Sequence, residues 1–202
     1  MELTILFFIK DYNFILNGVV NMYKFALLVV DVQTALIRRN PYNKQNFIEN
    51  IKRLIDTARK NNVEVIYVRQ DVDVAGLESY TDDWDIYYEI APENGEKVFN
   101  KKYNSSFYET GLKEYLKTKG INTVILMGLQ TEYCIDATCK SAFEHGFNVI
   151  IPEGTNTTFG NDILSAEKIY ELFNHKIWNN RFATVLPLDK VEEIISWYGK
   201  NN

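Results

Sequence analysis

The sequence predicts an α/β domain: a three-layer, doubly wound sandwich around a six-stranded, mostly parallel sheet. Three observations carry this expectation. Apolar, β-branched runs of strand length alternate with segments whose apolar residues recur every three or four positions, the periods of strand and helix. Several of the runs are apolar throughout, as in strands covered on both faces. The connections are mostly short, and right-handed crossovers between parallel strands place helices on both sides of a sheet. A chain of 202 residues suits one such domain.

Taken in order, FALLVVDV from Phe25 is a strand buried on both faces, ending at Asp31. Over 43–62, Phe47, Ile51, Leu54, Ile55 and Ala58 mark an amphipathic helix. VEVIYVRQ at 63–70 and KVFNK at 97–101 are the next strands, and 108–119 is a helix closed by Gly120. TVILMGL at 123–129 is a fourth strand, followed by a helix over 132–145 closed by Gly146 and a strand NVIIPE at 148–153. A helix over 162–178, a strand ATVLPL at 183–188 and a helix over 191–198 complete the pattern. The one long irregular stretch, 71–96, contains Tyr80, Trp84, Tyr87 and Tyr88, which favour a packed loop beside an active site.

Lys and Arg number 22 against 27 Asp and Glu, and the formal charge of −5 does not suit a surface built to neutralise phosphates. Nucleic acid is therefore not an expected partner. Hydrophobic residues at 46% and aromatic ones at 14% exclude a disordered chain. Cys134 and Cys139 stand on different faces of a helical stretch, a poor geometry for a bridge, so free thiols in a reducing cytoplasm are expected. In residues 1–21 the apolar run stops where Lys10 and Asp11 follow Ile9, short of the roughly 20 apolar residues of a membrane span. Glu2 precedes the run and Asn17-Gly18-Val19-Val20 makes a poor cleavage site, so neither a membrane segment nor a secretory leader is expected. The expected organisation is an N-terminal extension over 1–21, with translation from Met22 as the simpler start, and one domain over 22–202.

Ligands in open α/β sheets bind beyond the carboxyl ends of the strands, where the strand order reverses. Asp31, Lys101 and Cys134 fall at such ends. Each has a plainer use: an Asp there caps a turn, a Lys is solvated, and a Cys in an apolar helix packs. Cys134 is favoured for chemistry because it falls in the first turn of its helix, where free N–H groups and the helix dipole stabilise a thiolate. A neighbouring lysine would lower the thiol pKa, and a carboxylate in reach would carry the proton to a leaving group. Cys139 lacks that placement and reads as core. His145 precedes Gly146 as a capping residue, and His175 reads as a surface or interface residue. Neither histidine lies in the loop after the second strand, so no metal or other cofactor is expected.

Three segments resemble the isochorismatase-like cysteine hydrolases, relatives of nicotinamidase and N-carbamoylsarcosine amidase. FALLVVDVQ is similar to that family's first strand, with Asp31 and Gln33 at its motif positions. WDIYYEIAPENGEKVFNKKYNSSFYETGL is similar to the segment carrying its lysine, and counting back from Ser105 and Phe107 selects Lys101. GLQTEYCIDATCKSAFEHGFNV is similar to the nucleophile segment and selects Cys134. The resemblance runs from Tyr23 to about Leu188. It implies a six-stranded parallel sheet and catalytic Asp31, Lys101 and Cys134. The implied reaction is hydrolysis of a C–N bond of a small amide, ureido or carbamoyl compound through a thioester. It also implies a cis peptide at Leu129–Gln130 and an oxyanion hole from the Gln130 and Cys134 N–H groups, donors typically worth about 3 to 4 kcal/mol. Gln33, Phe107, Thr131, Tyr133 and the 71–96 loop are the expected substrate pocket. A homo-oligomer is expected from the resemblance and from the late aromatics Trp178 and Phe182.

The nicotinamidase branch places metal-binding histidines after the second strand, whereas YVRQDVDVAGLESY has none. A cysteine at 134 also argues against a true isochorismatase, which needs no thiol. A nicotinamidase-type pyridine-amide hydrolase remains one alternative. A non-catalytic binding member or a redox-sensing thiol of the same fold is another.

Overall fold

The computed structural model describes residues 23–71 and 80–201. The extension over 1–21 and positions 72–79 of the irregular stretch lie outside the described residues. In chain order the described elements are β1 (Phe25–Val30), α1 (Thr34–Arg38), α2 (Lys44–Lys60), β2 (Glu64–Gln70), β3 (Lys97–Lys101) and α3 (Leu112–Thr118). They continue with β4 (Thr123–Leu129), α4 (Asp136–Glu144), β5 (Asn148–Pro152), β6 (Asn156–Thr157), α5 (Ala166–Leu172), β7 (Thr184–Leu186) and α6 (Leu188–Asn201). The sheet runs β3-β2-β1-β4-β5-β7 with every pair parallel, and β6 adds onto β4. The chain builds outward from β1 through β2 to β3, then returns to β4 on the other side of β1. The strand order therefore reverses between β1 and β4.

Alternate residues of β1 serve opposite faces, as strand geometry requires. Phe25, Leu27 and Val29 join Phe47, Ile51, Leu54 and Ile55 of α2 and Val191, Ile194 and Ile195 of α6 in one core. Ala26, Leu28 and Val30 join Leu112 and Leu116 of α3 and Cys139 and Ala142 of α4 in the other. Each fully buried large aliphatic is worth about 1.5–3 kcal/mol of transfer free energy, so two such cores hold helices on both faces of a sheet whose central strands meet no water. The doubly wound sandwich predicted from alternation is the observed fold.

The differences are local. The sheet has the six expected strands and a two-residue seventh, β6. Pro152 ends β5 because it has no N–H for the ladder, and Asn156 and Thr157 then pair with Gly128 and Leu129 beyond the reach of β5. The helix expected over 108–119 begins only at Leu112, after Gly111 in a left-handed conformation. That expected over 162–178 starts at Ala166, where Ser165 Oγ caps the Lys168 N–H, and finishes as a π-helical turn at Phe173–Trp178. Its expected first residues are instead a turn closed on Asn161 Oδ1 by the Ile163 and Leu164 amides. Trp178, expected at an interface, is fully buried in its own domain and donates to Asp136 Oδ1 at 2.9 Å.

Candidate active site

The carboxyl ends of β1, β3 and β4 carry Asp31, Lys101 and the turn containing Cys134. β1 stops because Asp31 takes a left-handed conformation, φ 56°, sparsely populated by residues other than glycine. Its N–H still donates to Val68 O at 2.8 Å, so the carboxylate turns off the strand at a point anchored to β2. Gly128 of β4 is required here: its φ is +133° and a Cβ would stand 1.9 Å from Val30 O. β4 continues through the cis Leu129–Gln130 peptide into a π-helical turn, Thr131–Ile135, and then α4. Cys134 is thus in a π turn rather than the first turn of an α-helix as expected. Lys101 is the last residue of β3 and pairs in register with Gln70 of β2.

These elements bring the three side chains into one cluster. Lys101 Nζ stands 2.7 Å from Asp31 Oδ2 and 3.2 Å from Cys134 Sγ, donates to Tyr103 O at 3.1 Å and also contacts Gln70 Oε1. Asp31 and Lys101 are each 1% exposed. Their contact is an ion pair rather than a well-directed hydrogen bond, since neither carboxylate oxygen meets hydrogen-bond geometry. Cys134 is half-buried, and its Sγ lies 3.9 Å from Asn104 Oδ1. The loop after β3 is fastened to α4 by Ser106, whose N–H donates to Thr138 Oγ1 at 3.0 Å. Lysine and thiol are thereby held by the same pair of elements.

Burial raises the Asp31 carboxyl above the ordinary carboxylate range, with the Lys101 charge partly offsetting it. Burial also pushes the Cys134 thiol up to about 12, and the Asp31 charge adds to this while Lys101 opposes it. This corrects the expectation of a thiolate prepared by a helix terminus: desolvation and a neighbouring carboxylate outweigh the lysine. Burial thus favours the neutral thiol and raises the basicity of the carboxylate beside it, an arrangement suited to transferring a proton when a carbonyl arrives. Cys139 is buried in the core and its thiol is likewise raised by desolvation.

Of the four side chains expected to line a pocket, three have other work. Gln33 is 0% exposed and both ends of its carboxamide are bonded to backbone, at Gln70 and Trp84. Phe107 packs on Phe147 and His145, with ring centroids 5.7 and 5.5 Å away. Thr131 donates to Asn156 Oδ1 at 2.9 Å, within a buried network that continues to Asn174. Tyr133, next to Cys134, is 51% exposed and does reach solvent. Gln70 and Asn104 were missed in the sequence. Gln70 carried a usable signal, a polar residue ending a buried strand on the same sheet edge as Lys101, whereas Asn104 sits in a polar turn with nothing to distinguish it. Among the described residues no group of three His, Cys, Asp or Glu side chains assembles as a metal site, and no helix is long and apolar enough to cross a membrane.

Fold and cluster together define a class: a parallel α/β protein with a thiol, an amine and a carboxylate gathered at the switch point of its sheet. Within that class, the family model described as the isochorismatase domain matches residues 25–185, and the chain belongs to this family. It is an isochorismatase-like hydrolase. It is 28% identical to the isochorismatase family protein YrdC of Bacillus subtilis (strain 168), over 83% of this chain and 94% of that one. It is 29% identical to streptothricin hydrolase of Streptomyces noursei, over 71% of this chain and 52% of that relative. Among solved structures it resembles N-carbamoylsarcosine amidase of Thermoplasma acidophilum, with a TM-score of 0.68 and 25% identity over 82% of this chain and 97% of that one.

Proposed function

We propose that this chain hydrolyses a C–N bond in a small amide, ureido or carbamoyl compound, with Cys134 as nucleophile. The observation that carries the reading is the position of Lys101 Nζ, 2.7 Å from Asp31 Oδ2 and 3.2 Å from Cys134 Sγ. An amine in contact with both a buried carboxylate and a thiol serves no packing purpose and costs desolvation.

As Sγ attacks the carbonyl carbon, its proton passes to Asp31, and the Lys101 charge supports the sulfur while it is anionic. The carbonyl oxygen becomes an oxyanion, for which the Gln130 and Cys134 N–H groups are the proposed donors. Among the described residues, neither amide donates to a carbonyl outside the turn that carries them. The C–N bond breaks, the nitrogen leaves with the proton from Asp31, and an acyl or carbamoyl thioester remains. A water then gives its proton to Asp31 as its oxygen bonds to the carbonyl carbon. The S–C bond breaks, and the sulfur recovers the proton. No metal takes part in this scheme. A cytoplasmic location and a homo-oligomeric state are part of the proposal, on the strength of the family resemblance and the two free cysteines, and fractionation and sedimentation would test them.

Ammonia release from a panel of small amides, ureas and carbamates tests the activity. At least one compound is expected to turn over with wild-type protein and not with Cys134→Ala. Turnover surviving in Cys134→Ala would overturn the thiol mechanism.

A further inference from the structure

We propose that Gln70 is a positioning residue for Lys101, with Gln33 acting through it, so that two uncharged glutamines hold Nζ between Asp31 and Cys134. The proposal rests on the reading of this cluster as the hydrolytic site.

An ammonium has three N–H donors. From Lys101 Nζ they run to Tyr103 O, Gln70 Oε1 and Cys134 Sγ, while Asp31 Oδ2 stands 2.7 Å away as an ion-pair partner outside hydrogen-bond geometry. The three donors are thus all engaged, and the carboxylate, carrying a full charge in a buried site, pulls on the ammonium against those three bonds. Without a fixed rival, Nζ is drawn towards Asp31 and supports the sulfur less. Gln70 is that rival, and its orientation admits one choice. Its Nε2 donates to Lys102 O at 3.0 Å, which leaves Oε1 facing the ammonium.

The backbone of Gln70 is held in turn by the side chain of Gln33. Where β1 turns away at Asp31, the last residue of β2 is left beside a missing strand. The Gln33 carboxamide takes its place: Oε1 accepts from Gln70 N at 2.9 Å, and Nε2 donates to Gln70 O at 3.1 Å and to Trp84 O at 2.7 Å. Gln33 lies two residues after Asp31, so one turn of chain places both the carboxylate and the clamp on its lysine partner. The charged groups acting on the Cys134 thiol are Asp31 from the end of β1 and Lys101 from β3. Glu132, on the same turn as Cys134, is engaged by Thr158 Oγ1 at 2.5 Å.

The test compares Gln70→Met, which keeps length but removes the acceptor, with Gln70→Glu, which keeps an acceptor and adds a negative charge. Three quantities are read: Tm, the pH profile of iodoacetamide labelling at Cys134 without substrate, and kcat and KM on a compound from the ammonia-release panel. Gln70→Met is expected to lower kcat about 10- to 100-fold, the scale of a modest misplacement of a reacting group, with KM changing far less. Its labelling profile moves to higher pH. Gln70→Glu also moves the profile to higher pH, through its charge, and recovers part of the lost kcat. A folded Gln70→Met with wild-type kcat and an unshifted profile overturns the proposal. If Gln70→Met does not fold, an unshifted profile in folded Gln70→Glu overturns it. Labelling needs no turnover, so a Cys134→Ala protein that still hydrolyses substrate would refute the thiol mechanism and leave the labelling result standing.

Discussion

At the scale of single residues, the thiol and its two charged neighbours make opposing contributions whose signs can be measured. The Cys134 thiol is held up to about 12 by burial and by the Asp31 charge, so the resting protein is expected to label slowly with iodoacetamide at neutral pH and faster as pH rises. Asp31→Asn removes a negative charge from beside the sulfur, which favours the thiolate, and its labelling profile should move to lower pH. Lys101→Met removes the opposing positive charge, and its profile should move to higher pH. Two variants shifting in the same direction would refute this account. Turnover responds differently, because Asp31 carries the proton. Asp31→Asn is expected to lose roughly 10²- to 10⁴-fold in kcat although its thiol ionises more readily. In the wild type the acid limb of kcat/KM should lie above the ordinary carboxylate range, since burial raises the Asp31 pKa.

At the scale of elements, the site depends on how closely β4 approaches β1 where the two diverge. Gly128 pairs with Val30, and any side chain there meets the Val30 carbonyl while also taking an unfavourable φ. Gly128→Ala is therefore expected to destabilise the domain by at least about 2 kcal/mol, read from the urea midpoint at constant m-value. An unchanged midpoint would mean that β4 moves away from β1 without penalty. The π turn at Thr131–Ile135 has its own support: Thr131, Asn156 and Asn174 form a buried chain linking that turn to β6 and to the π turn before β7. Breaking such a chain leaves a buried amide unpaired, a larger loss than the bond itself contributes.

At the scale of the whole molecule, two cores, one on each face of the sheet, hold the described residues together, and we propose that the extension over 1–21 is dispensable. A protein beginning at Met22 is expected to keep the Tm of the full chain within the roughly 2–4 °C that 1 kcal/mol represents at this size. A larger drop would show that the extension contributes to the domain.

Much of this molecule was legible from its sequence, for reasons specific to each part. Buried parallel strands are apolar at nearly every position, so FALLVV and TVILMGL announced the centre of the sheet, and α2 showed its buried stripe through Phe47, Ile51, Leu54, Ile55 and Ala58. Asp31, Lys101 and Cys134 were visible because a reactive side chain at the end of an apolar strand has few packing reasons to be there. β6 was not visible, since two residues carry no period, and the short starts of α3 and α5 follow turns whose bonds are made by side chains distant from the helical pattern. Composition likewise could not assign Gln33, Phe107 and Thr131, because a polar or aromatic residue near a site either faces the ligand or braces the scaffold, and only the three-dimensional neighbours distinguish the two. The sequence by itself determined the fold class and the placing of Asp31, Lys101 and Cys134 at or just beyond strand ends. The tertiary structure alone decided the surroundings of the thiol and the bonding partners of the glutamines, because both depend on burial and on groups that meet only when strands distant in sequence end at one edge of a sheet.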